Sequence, residues 1–144
     1  MSDPPPSSLL LDTHTLLWMV ENHPRLGAGA AGAMNRAGRE DRLSISAITL
    51  WEIGLLASKK RIDLHRDVME WVHEVLALPR LSLVQLLPEI AVTSTRLPFE
   101  MHPDPADRIL VATARRFGAT LVTADRALLD LAGSGRFKAM DASR

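Results

Sequence analysis

The chain's 144 residues suffice for one domain with a real core, and 47% hydrophobic with 24% charged residues excludes the disordered and fibrous classes. Its 17 Lys and Arg balance its 17 Asp and Glu, so no global basic field marks a nucleic-acid partner, and such binding has to use local patches. The absence of cysteine excludes a disulfide framework and a thiolate metal site, and accords with a cytoplasmic location.

Residues 1–8, "MSDPPPSS", carry no Lys or Arg and so lack the basic start of a signal peptide; they read as a flexible proline-rich tail before a single domain over 9–144. No apolar run approaches the roughly 20 residues needed to cross a bilayer. "SLLLD" at 8–12 is a buried strand, and Leu16, Leu17 and Val20 then continue at helical spacing. A helix over 28–37 follows "HPRLG", and "RLSIS" at 42–46 is a second strand. Further helices are expected at 47–60 and 67–78, the latter stopped by Pro79, and a strand at 81–86. Pro88 opens a short helix to Val92. "DPADRILVATARRFG" carries start and stop signals for another, with Asp104 as cap and Gly118 as terminator. A strand at 119–125, a short helix after Asp125 and a last strand at 136–140 complete the chain. Strands alternating with helices imply parallel crossovers and an α/β fold with helices on both faces of a central parallel β-sheet.

Four acids stand out in this frame. Asp12 and Asp125 each end an apolar strand, and ligands of open α/β sheets sit beyond the carboxyl ends of strands. The ordinary reading of either is a cap for the next helix. Glu52 has Ile48, Leu55 and Leu56 as its helical neighbours, which puts a carboxylate on an apolar face, where burial alone would keep it neutral. Asp107 suits the first turn of its helix as a complement to the dipole, yet it also shares a face with Leu110, Val111 and Ala114. If the four converge, their mutual repulsion calls for a cation, and an all-oxygen site suits Mg²⁺ or Mn²⁺. With one or two such ions, phosphodiester hydrolysis by activated water is the natural chemistry.

Three segments carry a family resemblance: "LLDTHTLLW", "SISAITLWEIGLLASKKRIDL" and "HPDPADRILVATARRFGATLVTAD". In this order and spacing the chain resembles a PIN-domain ribonuclease, and within that family the VapC-type toxins of bacterial toxin–antitoxin pairs. The resemblance implies a PIN-like three-layer α/β/α sandwich and a Mg²⁺- or Mn²⁺-dependent endoribonuclease acting on RNA. It also implies a homodimer, inhibited by a small VapB-like antitoxin. The family's four acids fall on Asp12, Glu52, Asp107 and Asp125, and its supporting hydroxyl on Thr123.

Around these acids the sequence leaves alternatives open. Asp104, His14 and His102 suit auxiliary or structural positions, since an oxygen-ligated cation does not need imidazole. Lys59, Lys60 and Arg61 close a helix where cations favour the dipole, and they also suit contact with RNA or antitoxin. Arg108 and the Arg115–Arg116 pair share that second option. Trp18, Trp51 and Trp71 fit core or dimer interface better than base-stacking platforms. A haloacid-dehalogenase-like phosphatase is the alternative enzyme, although that motif wants a second Asp where His14 stands. A non-catalytic metal-binding interaction domain is the alternative outside enzymes.

Overall fold

The computed structural model describes residues 3–5 and 7–144. Its elements follow in the order β1 (Leu9–Leu11), α1 (Thr13–Glu21), α2 (Ala28–Arg39), β2 (Leu43–Ser46), α3 (Ala47–Ser58) and α4 (Val68–Leu76). Then come β3 (Ser82–Val84), α5 (Pro88–Thr93), α6 (Pro105–Phe117), β4 (Thr120–Thr123), α7 (Arg126–Gly133) and β5 (Lys138–Asp141). The five strands form one sheet in the order β3-β2-β1-β4-β5, and every pairing is parallel.

The helices cover both faces, making the three-layer α/β/α sandwich. Leu9 and Leu11 point into one core with Leu16 and Leu17 of α1, Met34 of α2, Ile53 of α3 and Trp71 of α4. Leu10, facing the other way, packs with Ile90 of α5, Leu110 and Val111 of α6, Leu121 and Leu128. A strand buried on both faces has no polar side to show, which is why "LLL" lacks alternation.

Caps set most boundaries. Asp67 accepts from the backbone of Met69 and Glu70 at the start of α4, Asp104 from Ala106 and Asp107 at the start of α6, and Gly118 ends α6 at φ 64°. The last strand begins at Lys138 rather than at Arg136. Its register is set by β4, whose first residue, Thr120, pairs with Lys138, and Phe137 is left as a buried plug ahead of it. Of the proline-rich segment expected as a tail, residues 1, 2 and 6 lie outside the described residues. Ser7 and Ser8 are tied in: Arg42 donates to the Ser7 carbonyl at 2.6 Å and Thr120 N–H to that of Ser8 at 2.9 Å. Among the described residues no helix is long and apolar enough to cross a membrane.

Trp18 and Trp71 are core residues, whereas Trp51 is 54% exposed, so the core reading fails for it. Helix α3 is apolar on nearly all sides, and the sheet, α1, α4 and α6 cover only part of it.

The end of the chain closes on the start of α2. Gly27 N–H donates to Ala142 O and Gly29 N–H to Arg144 O, both at 2.9 Å. A Cβ on Gly27 would lie 2.3 Å from the Arg144 backbone carbon. Gly27→Ala is therefore expected to destabilise the fold by about 1–3 kcal/mol, the usual cost of overpacking, as read by urea unfolding. An unchanged midpoint would mean that residues 142–144 lift away without loss.

Candidate active site

The chain moves outward from β1 through β2 to β3, then returns on the other side of β1 as β4, so strand order reverses between β1 and β4. Beyond the carboxyl ends of strands at such a switch point lies the usual ligand crevice of an open α/β sheet. Here it is a pocket of about 340 Å³ lined by Asp12, Thr13, His14, Trp18, Arg25, Glu52, Asp104, Asp107, Ala124 and Asp125. All four candidate acids reach it, each from a different element.

Asp12 is 9% exposed and is both cap and pocket acid. One of its oxygens accepts from Thr15 N–H at 2.9 Å, and the other accepts from Thr123 Oγ1 at 2.5 Å. Thr123 Oγ1 in turn accepts from Asp125 N–H at 3.0 Å, while the Asp125 carboxylate caps α7 through Leu128 N–H at 3.1 Å. The hydroxyl of Thr123 thus couples the ends of β1 and β4. Thr15, in the first turn of α1, adds a tie to β4, donating from Oγ1 to Val122 O at 2.9 Å. Glu52, half-buried on α3, accepts from Thr13 Oγ1. Replacing Thr123 with Val keeps shape but leaves an Asp12 oxygen and the Asp125 N–H without this partner. The expected loss is about 1–3 kcal/mol by denaturant unfolding, largely restored in Thr123→Ser. Equal stability of Val and Ser variants would remove the hydroxyl from this role.

Asp107, in the first turn of α6, has its pKa pushed up to about 7. Burial is the main cause, followed by the charges of Asp104, Asp125, Glu52 and Asp12. All four electrostatic contributors are acids, so the pocket holds negative charge in excess. His102 Nε2 lies 3.4 Å from an Asp107 oxygen, which brings that histidine to the rim. The donor chemistry, dominated by carboxylate oxygens and under-neutralised, fits a hard divalent cation. Among the described residues, however, no three carboxylates or imidazoles are drawn up as a ready ligand set.

Asp104 lines the pocket; its Oδ1 caps α6 by accepting from Ala106 and Asp107 N–H, and its charge raises the Asp107 pKa. His14 lines the pocket and is exposed. Arg108, a candidate for RNA or antitoxin contact, braces the segment before α6: Nε donates to Ser94 O at 2.8 Å and Nη1 to Met101 O at 3.3 Å. Lys60 and Arg61 line a separate cleft of about 540 Å³ with Arg66, and Lys59 is exposed beside it. Thr13 and Arg25 line the acidic pocket without a local signal in the sequence. Only the run of hydroxyls in "DTHT" hints at the first, and "HPRLG" reads simply as a helix entry.

A parallel sandwich with an acidic pocket at its switch point defines a class, and comparison with known proteins identifies the family. A model of the PIN domain matches residues 9–134. Ribonuclease VapC22 of Mycobacterium tuberculosis is 36% identical over 122 residues, 85% of this chain and 90% of that protein. DNA-bound VapBC from Salmonella typhimurium has a chain of the same fold, with TM-score 0.65 and 19% identity over 94% of this chain and 98% of that one. VapBC2 from Rickettsia felis, bound to a promoter DNA fragment, gives TM-score 0.64 and 15% identity over 92% and 96%. The chain belongs to the PIN-domain family and, within it, to the VapC type.

Proposed function

We propose that this chain is a divalent-cation-dependent endoribonuclease toxin, with Asp12, Glu52, Asp107 and Asp125 as its acidic site and a small VapB-like antitoxin as its inhibitor. The observation that carries the reading is the meeting of these four acids, each from a different element, in one pocket at the β1/β4 switch point. The name of the Mycobacterium relative supports RNA as substrate, and the two VapBC structures support an antitoxin partner.

A bound Mg²⁺ or Mn²⁺ supplies Lewis acidity and a lowered pKa for the attacking water. The chain's own residues do the positioning. Thr15 and Thr123 hold the Asp12 carboxylate against rotation, Thr13 orients Glu52, and the α7 cap steadies Asp125. Asp107, whose pKa is raised by burial and its acidic neighbours, holds a proton that a bound cation would have to displace. Lys59, Lys60 and Arg61 offer the RNA backbone a basic path outside the pocket. Exposed Trp51 on α3, with Met69 and Leu76 on α4, supplies the apolar surface for a homodimer or for the antitoxin. Such a toxin works in the cytoplasm, where its RNA and its antitoxin are made.

The test is incubation of total cellular RNA with purified protein stripped of any copurified antitoxin, with Mn²⁺, with Mg²⁺ and with chelator. Discrete fragments in the metal lanes alone are expected. Intact RNA in every lane, from protein with a cooperative melt, would overturn the reading.

A further inference from the structure

Among the described residues, one arginine and no lysine lines the acidic pocket, beside the imidazole of His14. Arg25 lines the pocket from the loop between α1 and α2, and its guanidinium carbon lies 5.2 Å from the centre of the Trp18 ring. Other arginines near the site are committed: Arg108 to the carbonyls of Ser94 and Met101, and Arg126 to Asp141 at 3.6 Å. Among the described residues the Arg25 guanidinium has no hydrogen bond and no ion pair, although five carboxylates line the same pocket. A guanidinium that faces acids without pairing with them keeps its donors available for an incoming group.

The loop that presents Arg25 is held at several points. Asn22 turns the chain in the left-handed region at φ 51°, and His23 N–H donates to Trp18 O at 2.8 Å. The His23 ring stacks on Trp18 at 5.8 Å and 20°, while its Nδ1 accepts from Arg25 N–H at 3.0 Å. Leu26 N–H returns to His23 O at 3.1 Å, and Gly27 is anchored to Ala142. Trp18 is buried, so the cation rests on a fixed aromatic face.

We propose that Arg25, laid on the face of Trp18 at the rim of the acidic pocket, is a substrate-positioning residue that binds a backbone phosphate of the RNA next to the one being cut. This rests on the nuclease reading of the pocket. An anionic strand entering this pocket meets the repulsion of its five carboxylates, and Arg25 is the guanidinium among the lining residues that offsets it. The planar fork of a guanidinium matches two phosphate oxygens at once. The rim position suits a phosphate adjacent to the scissile one, because the acids occupy the pocket's other elements.

The test uses the full chain with the inactivating Asp12→Asn change, so that binding is read without cleavage, and a fluorescent single-stranded RNA at fixed Mg²⁺ across a KCl series. Adding Arg25→Gln should raise Kd about tenfold, the size of one charge-assisted hydrogen-bonded contact. It should also flatten the plot of log K against log salt by about 0.7, the increment for one phosphate on a single strand. Arg25→Lys should keep the salt slope but recover only part of the affinity. In the otherwise wild-type enzyme, Arg25→Gln should raise KM more than it lowers kcat. An unchanged Kd and slope in Arg25→Gln, whatever happens to kcat, overturns the proposal alone if the wild-type protein cuts RNA. No cleavage by the wild-type protein overturns the nuclease reading and this proposal with it.

Discussion

Asp12→Asn is expected to lower RNA cleavage by at least about a hundredfold, the scale seen when one pre-organised electrostatic group is removed from a site, while the protein remains folded. The structure shows why the two effects separate. Asparagine can still present an oxygen to Thr15 N–H and cap α1, and the change takes one negative charge out of a crowded pocket. Against that, the new amide donor faces Thr123 Oγ1, which now donates to the aspartate and already accepts from Asp125 N–H. The Thr123 hydroxyl has to turn and find another acceptor. These opposing terms leave stability within about 1 kcal/mol of wild type in metal-free buffer. Asp12→Ala has no such compensation: it loses the cap, about 1 kcal/mol, and strands the Thr123 hydroxyl as well. Urea unfolding in chelator, beside single-turnover cleavage with Mn²⁺, reads both quantities. Wild-type cleavage by Asp12→Asn would remove Asp12 from the chemistry. Collapse of its fold would show that the carboxylate is structural first.

Asp107→Asn is expected to stabilise the metal-free protein above pH 7 and to have little effect near pH 4. In the unfolded chain this carboxyl ionises near 3.8, whereas in the folded protein it holds its proton to about 7. Folding therefore takes up a proton between these values. The stability this proton confers is present at low pH, falls as pH rises through that window, and is gone above it. Asparagine carries no such dependence, so the variant's advantage opens between pH 4 and 7 and stays constant beyond. Allowing for solvent screening of a partly exposed group, the gap is on the order of 1 kcal/mol, about 3 °C in melting temperature. A divalent cation should close it by stabilising the wild-type carboxylate and raising its melting temperature at pH 8, with the rise weakening towards pH 5 as protons compete. Thermal unfolding at several pH values, with chelator and with Mn²⁺, checks each part. Parallel pH curves for wild type and variant would mean that Asp107 titrates like an ordinary exposed acid.

The elements of the fold were largely readable from local pattern. Helix periodicity, the Asp104–Pro105 start of α6, the Gly118 stop and the apolar runs of β1 and β4 each depend on residues within about four positions of one another. Their signals survive without knowledge of the partner surface. Where reading and structure part, a distant partner decides. The start of β5 follows its register with β4, and the exposure of Trp51 follows from which side of α3 the sheet, α1, α4 and α6 leave uncovered.

The candidate site divides in the same way. Sequence alone singled out Asp12, Glu52, Asp107 and Asp125, because an acid that interrupts an apolar run or stripe is conspicuous in one dimension. That these four face one pocket was decided by tertiary structure, through the placing of β4 beside β1. So were the contacts that hold them: Thr123 meets Asp12 across 111 positions, and Thr13 meets Glu52 across 39. Arg25 had no local mark at all, since its meaning comes from the Trp18 face beneath it and the acids around it. Periodicity and capping are short-range physics and are written along the chain. Which strand ends become neighbours depends on how both faces of the sheet are buried, and that is settled only when the whole chain packs.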